Sequence, residues 1–374
     1  KDLKNWAKYE IANLITKVSP SSKIFGPPSG HYTDIDEYLK HNSKAGTKKL
    51  LLDEKATDQH QNFARHLVSI TNGRINLNPW SFITEDDKLL FKESSCYGLV
   101  PEDHLVFRSI KLPKIHRLEG KTLFLSIRNN YWHLLADELC DLSLLINSRI
   151  KINEFDHIIF EKSPFSAGKE LQEIFGLHQL NQVSLQELLH IECEELYFFK
   201  GSFCLSEDAL SLVKYKIKSS LIQSSSNSGG NSNRIIVSRG SSTTRRWLNE
   251  NECMESLNTL GFELLDPSKL SLSEQVKAFS SAEIILGPHG AGLTNIMFCN
   301  PGTKVIEIRS QEQGGEYSSA NCYEELSSIF GVKHHTFHCP SIERKDLKGR
   351  SIEDADLVPD PMKLMNFISE KVLI

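Results

Sequence analysis

The sequence predicts an α/β protein built on parallel sheets, and three observations carry that expectation. Short β-branched runs, RIIVS (234–238), EIILG (283–287) and KVIEI (304–308), have the length and flanks of strands buried on both faces. Segments of helical pattern alternate with them, as βαβ crossovers require. At 374 residues the chain is long enough for two domains with separate cores.

The C-terminal part reads in order. After RIIVS comes a polar loop, then Asn249 as a candidate N-cap, with Glu250 and Glu252 favouring the helix dipole in the first turn. That helix stops at Gly261, where a left-handed cap suits glycine. FELL (262–265) is the next strand, and SLSE (271–274) is a capping box opening a helix that turns Val276 and Phe279 inward. EIILG follows as a strand, GAGLTNIMF (290–298) as a short helix and KVIEI as another strand. A helix near 319–330 and a strand near 332–338 complete the pattern, a Rossmann-like half.

In the N-terminal part, LFLSI (123–127) and HIIF (157–160) read as buried strands with a helix starting near Tyr131 between them. KELQEIFG (169–176) and QELLHIE (186–192) read as helical, which again suggests βαβ units. The Ser/Asn/Gly-rich stretch 219–233 reads as a flexible linker. The expected division is therefore residues 1–100, without a clear pattern, joined to a first Rossmann-like domain over 101–222; a linker over 223–233; a second domain over 234–358; and a helix over 359–374.

Composition removes several classes. A net charge of −5 and a pI near 6.3 argue against a general binder of nucleic acid or anionic membranes. No stretch approaches the ~20 apolar residues of a membrane helix. The eight cysteines are scattered without a CxxC pair and read as mostly buried free thiols of a reducing compartment. No N-x-[ST] sequon is present, so the expected location is bacterial cytoplasm, with a lumenal chain cut from an anchor as the other option.

The segment EIILGPHGAGLTNIMF (283–298) carries the strongest chemical signal. In parallel sheets, ligands sit beyond the carboxyl ends of the strands. Gly287, Gly290 and Gly292 let backbone N–H groups of this turn, from Ala291 through Leu293, approach an anion. His289 adds a donor, Thr294 a hydroxyl and Asn295 an amide. Arg239 directly follows RIIVS, with Arg245 and Arg246 a few residues on, and guanidinium forks suit a diphosphate. Glu307, near another strand end, is the expected partner of ribose hydroxyls. A tight turn and solvated arginines are the ordinary alternatives.

In RNNYWHLLADEL (128–139), His133 and Asp137 stand four apart on one helix face, an imidazole oriented by a carboxylate. Asn130, Tyr131 and Trp132 precede them, and the two aromatic residues offer flat faces for a sugar ring. DID (34–36), DAD (354–356) and HHTFHC (334–339) are weaker metal patterns: neither acidic triplet ends a hydrophobic strand, and the histidines lack further ligands nearby. No metal site is expected.

These two segments together resemble glycosyltransferase family 61. Asn130, Tyr131, His133, Asp137 and Leu139 match its first motif, with Cys140 and Asp141 in place of Pro-Arg. Ser238-Arg239, Arg245-Arg246, Asn249-Glu250, Gly261-Phe262-Glu263, Glu274-Gln275, Gly287 to Asn295 and Pro301 to Glu307 match its second. The resemblance implies a GT-B-like fold, two Rossmann-like domains facing a cleft, with the nucleotide-sugar on the C-terminal domain and a glycan or glycoconjugate acceptor on the other. It implies an inverting, metal-independent transfer without cofactor, from a UDP-linked donor by expectation, in bacterial surface polysaccharide synthesis. His133 or Asp137 would be the base; Arg239, Arg245, Arg246, His289 and the 287–294 backbone would stabilise the leaving diphosphate. Two other classes stand beside this one: a catalytically silent module that binds glycan or protein, and a dehydrogenase, which the lack of GxGxxG opposes.

Overall fold

The computed structural model describes residues 26–42, 48–53, 57–58, 61–62, 64–78, 80–94, 100–109, 111–125, 130–148, 150–179, 181–183, 188–200, 205–222, 233–240, 242–310, 321–342 and 355–373. Of the stretch 219–233 expected to be a flexible linker, residues 219–222 instead end the helix Glu207–Ile222, and 223–232 lie outside the described residues. Contacts divide the chain into two units. The first gathers residues within Lys1–Arg128, Asp141–Glu161 and His178–Ser206; the second gathers those within Asn129–Cys140, Lys162–Leu177 and Glu207–Ile374. This differs from the linear division expected above, because residues 130–140 and 162–177 group with the C-terminal part.

The first unit is a mixed sheet of eight strands: β1 (Gly30–Tyr32), β2 (Lys48–Asp53), β3 (Arg65–Leu77), β4 (Trp80–Ile83), β5 (Lys88–Leu90), β6 (His116–Phe124), β7 (His157–Ile159) and β8 (His190–Lys200). Their order is β1-β5-β4-β3-β8-β6-β7, with β2 also on β3. β6 and β7 lie parallel to β8, but β3 runs antiparallel to it, from Asn76 opposite His190 to His66 opposite Lys200. A parallel Rossmann-like sheet was expected here; the long β3–β8 pair makes it mixed. Val68, Ile70, Ile75 and Phe198 are buried at its centre, and Phe82 stacks on Phe198 at 4.3 Å. Of the expected helix over 186–192, residues 190–192 open β8 instead, and 186–187 lie outside the described residues. The run IECEELYFF places Ile191, Cys193, Leu196 and Phe198 in the core, so ladder pairing and burial override the helix propensity of Glu and Leu.

The second unit holds five parallel strands, β9 (Arg234–Val237), β10 (Phe262–Leu265), β11 (Ile284–Pro288), β12 (Lys304–Ser310) and β13 (Lys333–Cys339), in the order β10-β9-β11-β12-β13. Ile236, Leu286 and Ile306 pack against helices Glu250–Leu257 and Pro361–Lys371. Ile235, Ile285 and Val305, which alternate with them, are equally buried, so both faces are covered. Each fully buried side chain of this kind stabilises the sheet by about 1.5–3 kcal/mol. Gly261 takes the left-handed conformation (φ 77°), and Ser271 and Glu274 form the reciprocal capping box. Asn249 precedes its helix without capping it by side chain; its amide donates to the Pro359 carbonyl at 2.8 Å. The order places a topological switch between β9 and β11, since the crossover after β9 leads to β10 on one side and the crossover after β11 leads to β12 on the other. Such a switch opens a crevice at the strands' carboxyl ends. Among the described residues, no helix is long and apolar enough to cross a membrane, and the six described cysteines are free.

Candidate functional site

The turn after β11 meets the end of β9 at that switch. The His289 N–H donates to the Ile308 carbonyl at 3.0 Å, tying the turn to β12. A Cβ on Gly287 would stand 3.0 Å from Val237 Cβ, and one on Gly292 would stand 2.9 Å from Val237 Cγ1. The glycines therefore let the turn close on β9. Arg239 leaves β9 and donates Nη1 to the His289 carbonyl at 3.0 Å and Nη2 to Ser242 Oγ at 2.7 Å. Its guanidinium occupies the space beside Gly290, where a Cβ would lie 1.6 Å from Nη1. Ala291–Phe298 follows as a 3-10 helix; Leu293 N–H donates to the Gly290 carbonyl at 2.9 Å and Thr294 Oγ1 to that of Ala291 at 2.7 Å. Arg239 and the His289 turn thus converge, as the sequence leads one to expect.

Glu307 does something else. It is fully buried, with Oε1 against His289 Nδ1 and Oε2 2.9 Å from His334 Nε2. Burial opposes its ionisation, but hydrogen bonds and charge from the two imidazoles prevail and hold the carboxyl at about 2. Both oxygens are occupied and no surface reaches solvent, which corrects the expectation that Glu307 takes ribose hydroxyls. His334 belongs to the HHTFHC strand, read above as a weak metal pattern.

The paired arginines diverge. Arg246 is held by Asp356, whose Oδ2 accepts from Nε at 3.0 Å and Nη2 at 2.5 Å while Oδ1 accepts from the Arg246 backbone at 2.9 Å. It therefore serves this buried carboxylate, the last residue of DAD. Arg245 sits in the left-handed region (φ 51°), an uncommon backbone for a long side chain, and its buried Nε has no hydrogen-bond partner among the described residues. Arg309, on β12 two residues past Glu307 and on the same strand face, is also buried with Nε unpartnered among them. Its signal, an arginine ending a buried strand, was in the sequence and passed unused.

The segment from 130 belongs to the same unit. Asn130 caps the helix by accepting from Trp132 N–H at 2.8 Å. Tyr131–His133 is α-helical, Leu134–Glu138 is a π-helix, and Leu139–Asn147 is α-helical again. Single π turns often mark functional sites. His133 Nδ1 lies 2.7 Å from Asp137 Oδ2; the imidazole is partly exposed and the carboxylate buried. Tyr131 Oη donates to Asn295 Oδ1 at 2.9 Å, and Asn295 Nδ2 to Gln275 Oε1 at 2.8 Å. Trp132 packs edge-on against Tyr323 at 5.2 Å, and Tyr323 against the His289 ring at 5.1 Å. Tyr323 thus joins the two predicted segments, a role nothing local in the sequence indicates.

Asp141, where the motif has Arg, lies in the first unit and pairs with buried Arg65 at 2.5 Å. Asp34 caps a helix, and Asp36 bonds Lys49 at 2.8 Å and Lys200, so DID is spent locally. Among the described residues no cluster of three or more His, Cys, Asp or Glu is arranged to hold a metal ion.

A doubly wound α/β unit with a basic, glycine-lined turn at its switch point defines a ligand-binding class. Residues 131–306 match the family model described as Glycosyltransferase 61, and over this segment the chain is similar to that family. It is 29% identical over 139 residues to the beta-1,2-xylosyltransferase of Arabidopsis thaliana, covering 31% of this chain and 25% of that protein. To the EGF domain-specific O-linked N-acetylglucosamine transferase of Gallus gallus it is 29% identical over 109 residues, 28% of this chain and 19% of that protein. To the alpha-1,3-arabinosyltransferase XAT3 of Oryza sativa subsp. japonica it is 25% identical over 171 residues, 44% of this chain and 27% of that protein. The chain thus spans about a fifth to a quarter of the curated relatives it matches. These relatives come from plants and an animal and lend nothing to a bacterial cytoplasmic location.

Proposed function

We propose that the chain transfers a sugar from a nucleotide-diphosphate donor, UDP-linked, to a hydroxyl of a glycan or glycoconjugate, with inversion and without a metal ion. The observation that carries this reading is the meeting of Arg239 with the His289 turn at the switch between β9 and β11. Arg239 shapes the turn, while His289, Arg245, Arg309 and the N–H groups following Gly290 offer positive charge to the departing diphosphate. Preorganised charge of this kind does the work a divalent cation does elsewhere. Arg246, held by Asp356, supports the loop instead.

His133 acts as the base. Its Nδ1 is oriented by Asp137, and the partly exposed ring presents Nε2 to an acceptor hydroxyl. The hydroxyl oxygen bonds to the anomeric carbon as the bond to the diphosphate oxygen breaks on the opposite face, and the proton passes to Nε2. In the GT-B arrangement that belongs to this reading, the second unit holds the donor and the first serves the acceptor. The surface-polysaccharide role draws no support from the relatives, so the acceptor is named only by class.

A thermal-shift series with UDP, GDP and CMP tests the donor site, because a ligand that binds only the folded state raises its apparent stability. UDP should raise the melting temperature of the wild type and not that of Arg239→Ala. Equal shifts in both proteins, or none with any nucleotide in the wild type, would refute the assignment.

A further inference from the structure

Three side chains from neighbouring strands, His289 just past β11, Glu307 within β12 and His334 near the start of β13, form a chain of contacts of which the proposed transfer uses only the first member. Glu307 has no solvent exposure, and an ionised carboxylate so placed is tolerated only when its oxygens accept hydrogen bonds. Its neighbours on the helix Cys322–Ile329 add no compensating charge: burial pushes both the Cys322 thiol and the Tyr323 hydroxyl upward, so each stays protonated and neutral. Balance therefore falls to the two imidazoles. An ionised carboxylate only accepts, so His289 Nδ1 and His334 Nε2 must each carry the hydrogen in these contacts.

We propose that His334, acting through Glu307, is a positioning residue that fixes His289 with Nδ1 protonated against Glu307. Nε2 then faces the ligand and donates to a diphosphate once a second proton makes the ring an imidazolium. His334 braces one carboxylate oxygen so that the other stays aimed at His289, and the Tyr323 ring holds the imidazole from the side. An outer partner that fixes the tautomer of a working histidine is a recurrent arrangement. Orientation of His289 follows from this chain's own contacts; only its benefit to a nucleotide diphosphate rests on the function proposed above.

Nitrogen-15 NMR of the histidine side chains in the full chain, with His289 assigned by loss of its signals in His289→Gln, tests the relay without any donor. In the wild type, His289 should carry hydrogen on Nδ1 with Nε2 bare in mildly alkaline solution. His334→Gln, whose amide N–H can still reach Oε2, should keep that pattern, while His334→Leu should shift His289 toward the Nε2-protonated tautomer. Glu307→Ala, which removes the acceptor from His289 Nδ1, should shift it as well, and serves if His334→Leu does not fold. An Nε2-protonated His289 in the wild type, or an unchanged His289 in both His334→Leu and Glu307→Ala, overturns the proposal. UDP affinity is the second readout: His334→Leu should weaken it by about tenfold or more and His334→Gln by far less, in line with losing one charge-assisted hydrogen bond. A wild type with the expected tautomer that fails to bind UDP would sink the donor reading and leave the relay standing.

Discussion

Two histidines of the second unit each meet a carboxylate, and the pairs differ in nearly every physical respect. His133 and Asp137 are four residues apart on one helix, with the imidazole about a quarter exposed. His289 and Glu307 come from neighbouring parallel strands, eighteen residues apart, and both are buried. The first pair can exchange a proton with a substrate because its ring reaches the surface. The second cannot hand its carboxylate to anything, because a second histidine closes it off. The same two residue types thus make a base in one place and a fixed support in the other, and burial decides which.

The comparison breaks most easily at His133. His133→Ala should lower turnover by about 10²–10⁴ while UDP affinity stays at the wild-type level. A loss of affinity equal to the loss of turnover would move His133 from proton transfer to binding. Gly290→Ala is the next largest. A methyl there collides with the Arg239 guanidinium, so the turn must open, stability should drop by about 1–3 kcal/mol in thermal or urea unfolding, and the UDP-induced shift should disappear. Retained UDP stabilisation would show that the Arg239–turn contact is dispensable.

The smallest effect sharpens the contrast through pH. The Glu307 carboxyl lies at about 2 in the folded protein against its ordinary 4.5, so it contributes stability above pH 4.5 that disappears as the pH falls toward 2. The stability gap between wild type and Glu307→Gln, measured by thermal unfolding, should therefore be full near neutrality and narrow progressively below about pH 4.5. A gap independent of pH across that range would mean that the carboxylate is not stabilised as an anion.

Much of this site was legible before any coordinates. The i, i+4 spacing of His133 and Asp137 is a property of the helix itself, and the glycines around His289 announce a close approach of backbones. Asn249 holds the N-cap position but gives its amide to the Pro359 carbonyl, and residues 190–192 pair as strand where a helix is expected, because local propensity registers neither that carbonyl nor the β3 ladder. Glu307 was given the wrong task for the same reason: a carboxylate at a strand end looks available until its neighbours on the next strand are known. Tyr323 left no local mark, since its contacts lie in segments far away in the chain.

By itself the sequence determined the alternation of strands and helices in the second unit, the glycine turn after β11 and the helical histidine–carboxylate pair, all fixed by periodicity and short-range spacing. Only the tertiary structure decided the mixed sheet of the first unit, the grouping of residues 130–140 with the second, the loss of Arg246 to Asp356 and the closure of Glu307 between two histidines. Those outcomes depend on which strands become neighbours and which side chains lose water, and no spacing along the chain encodes either.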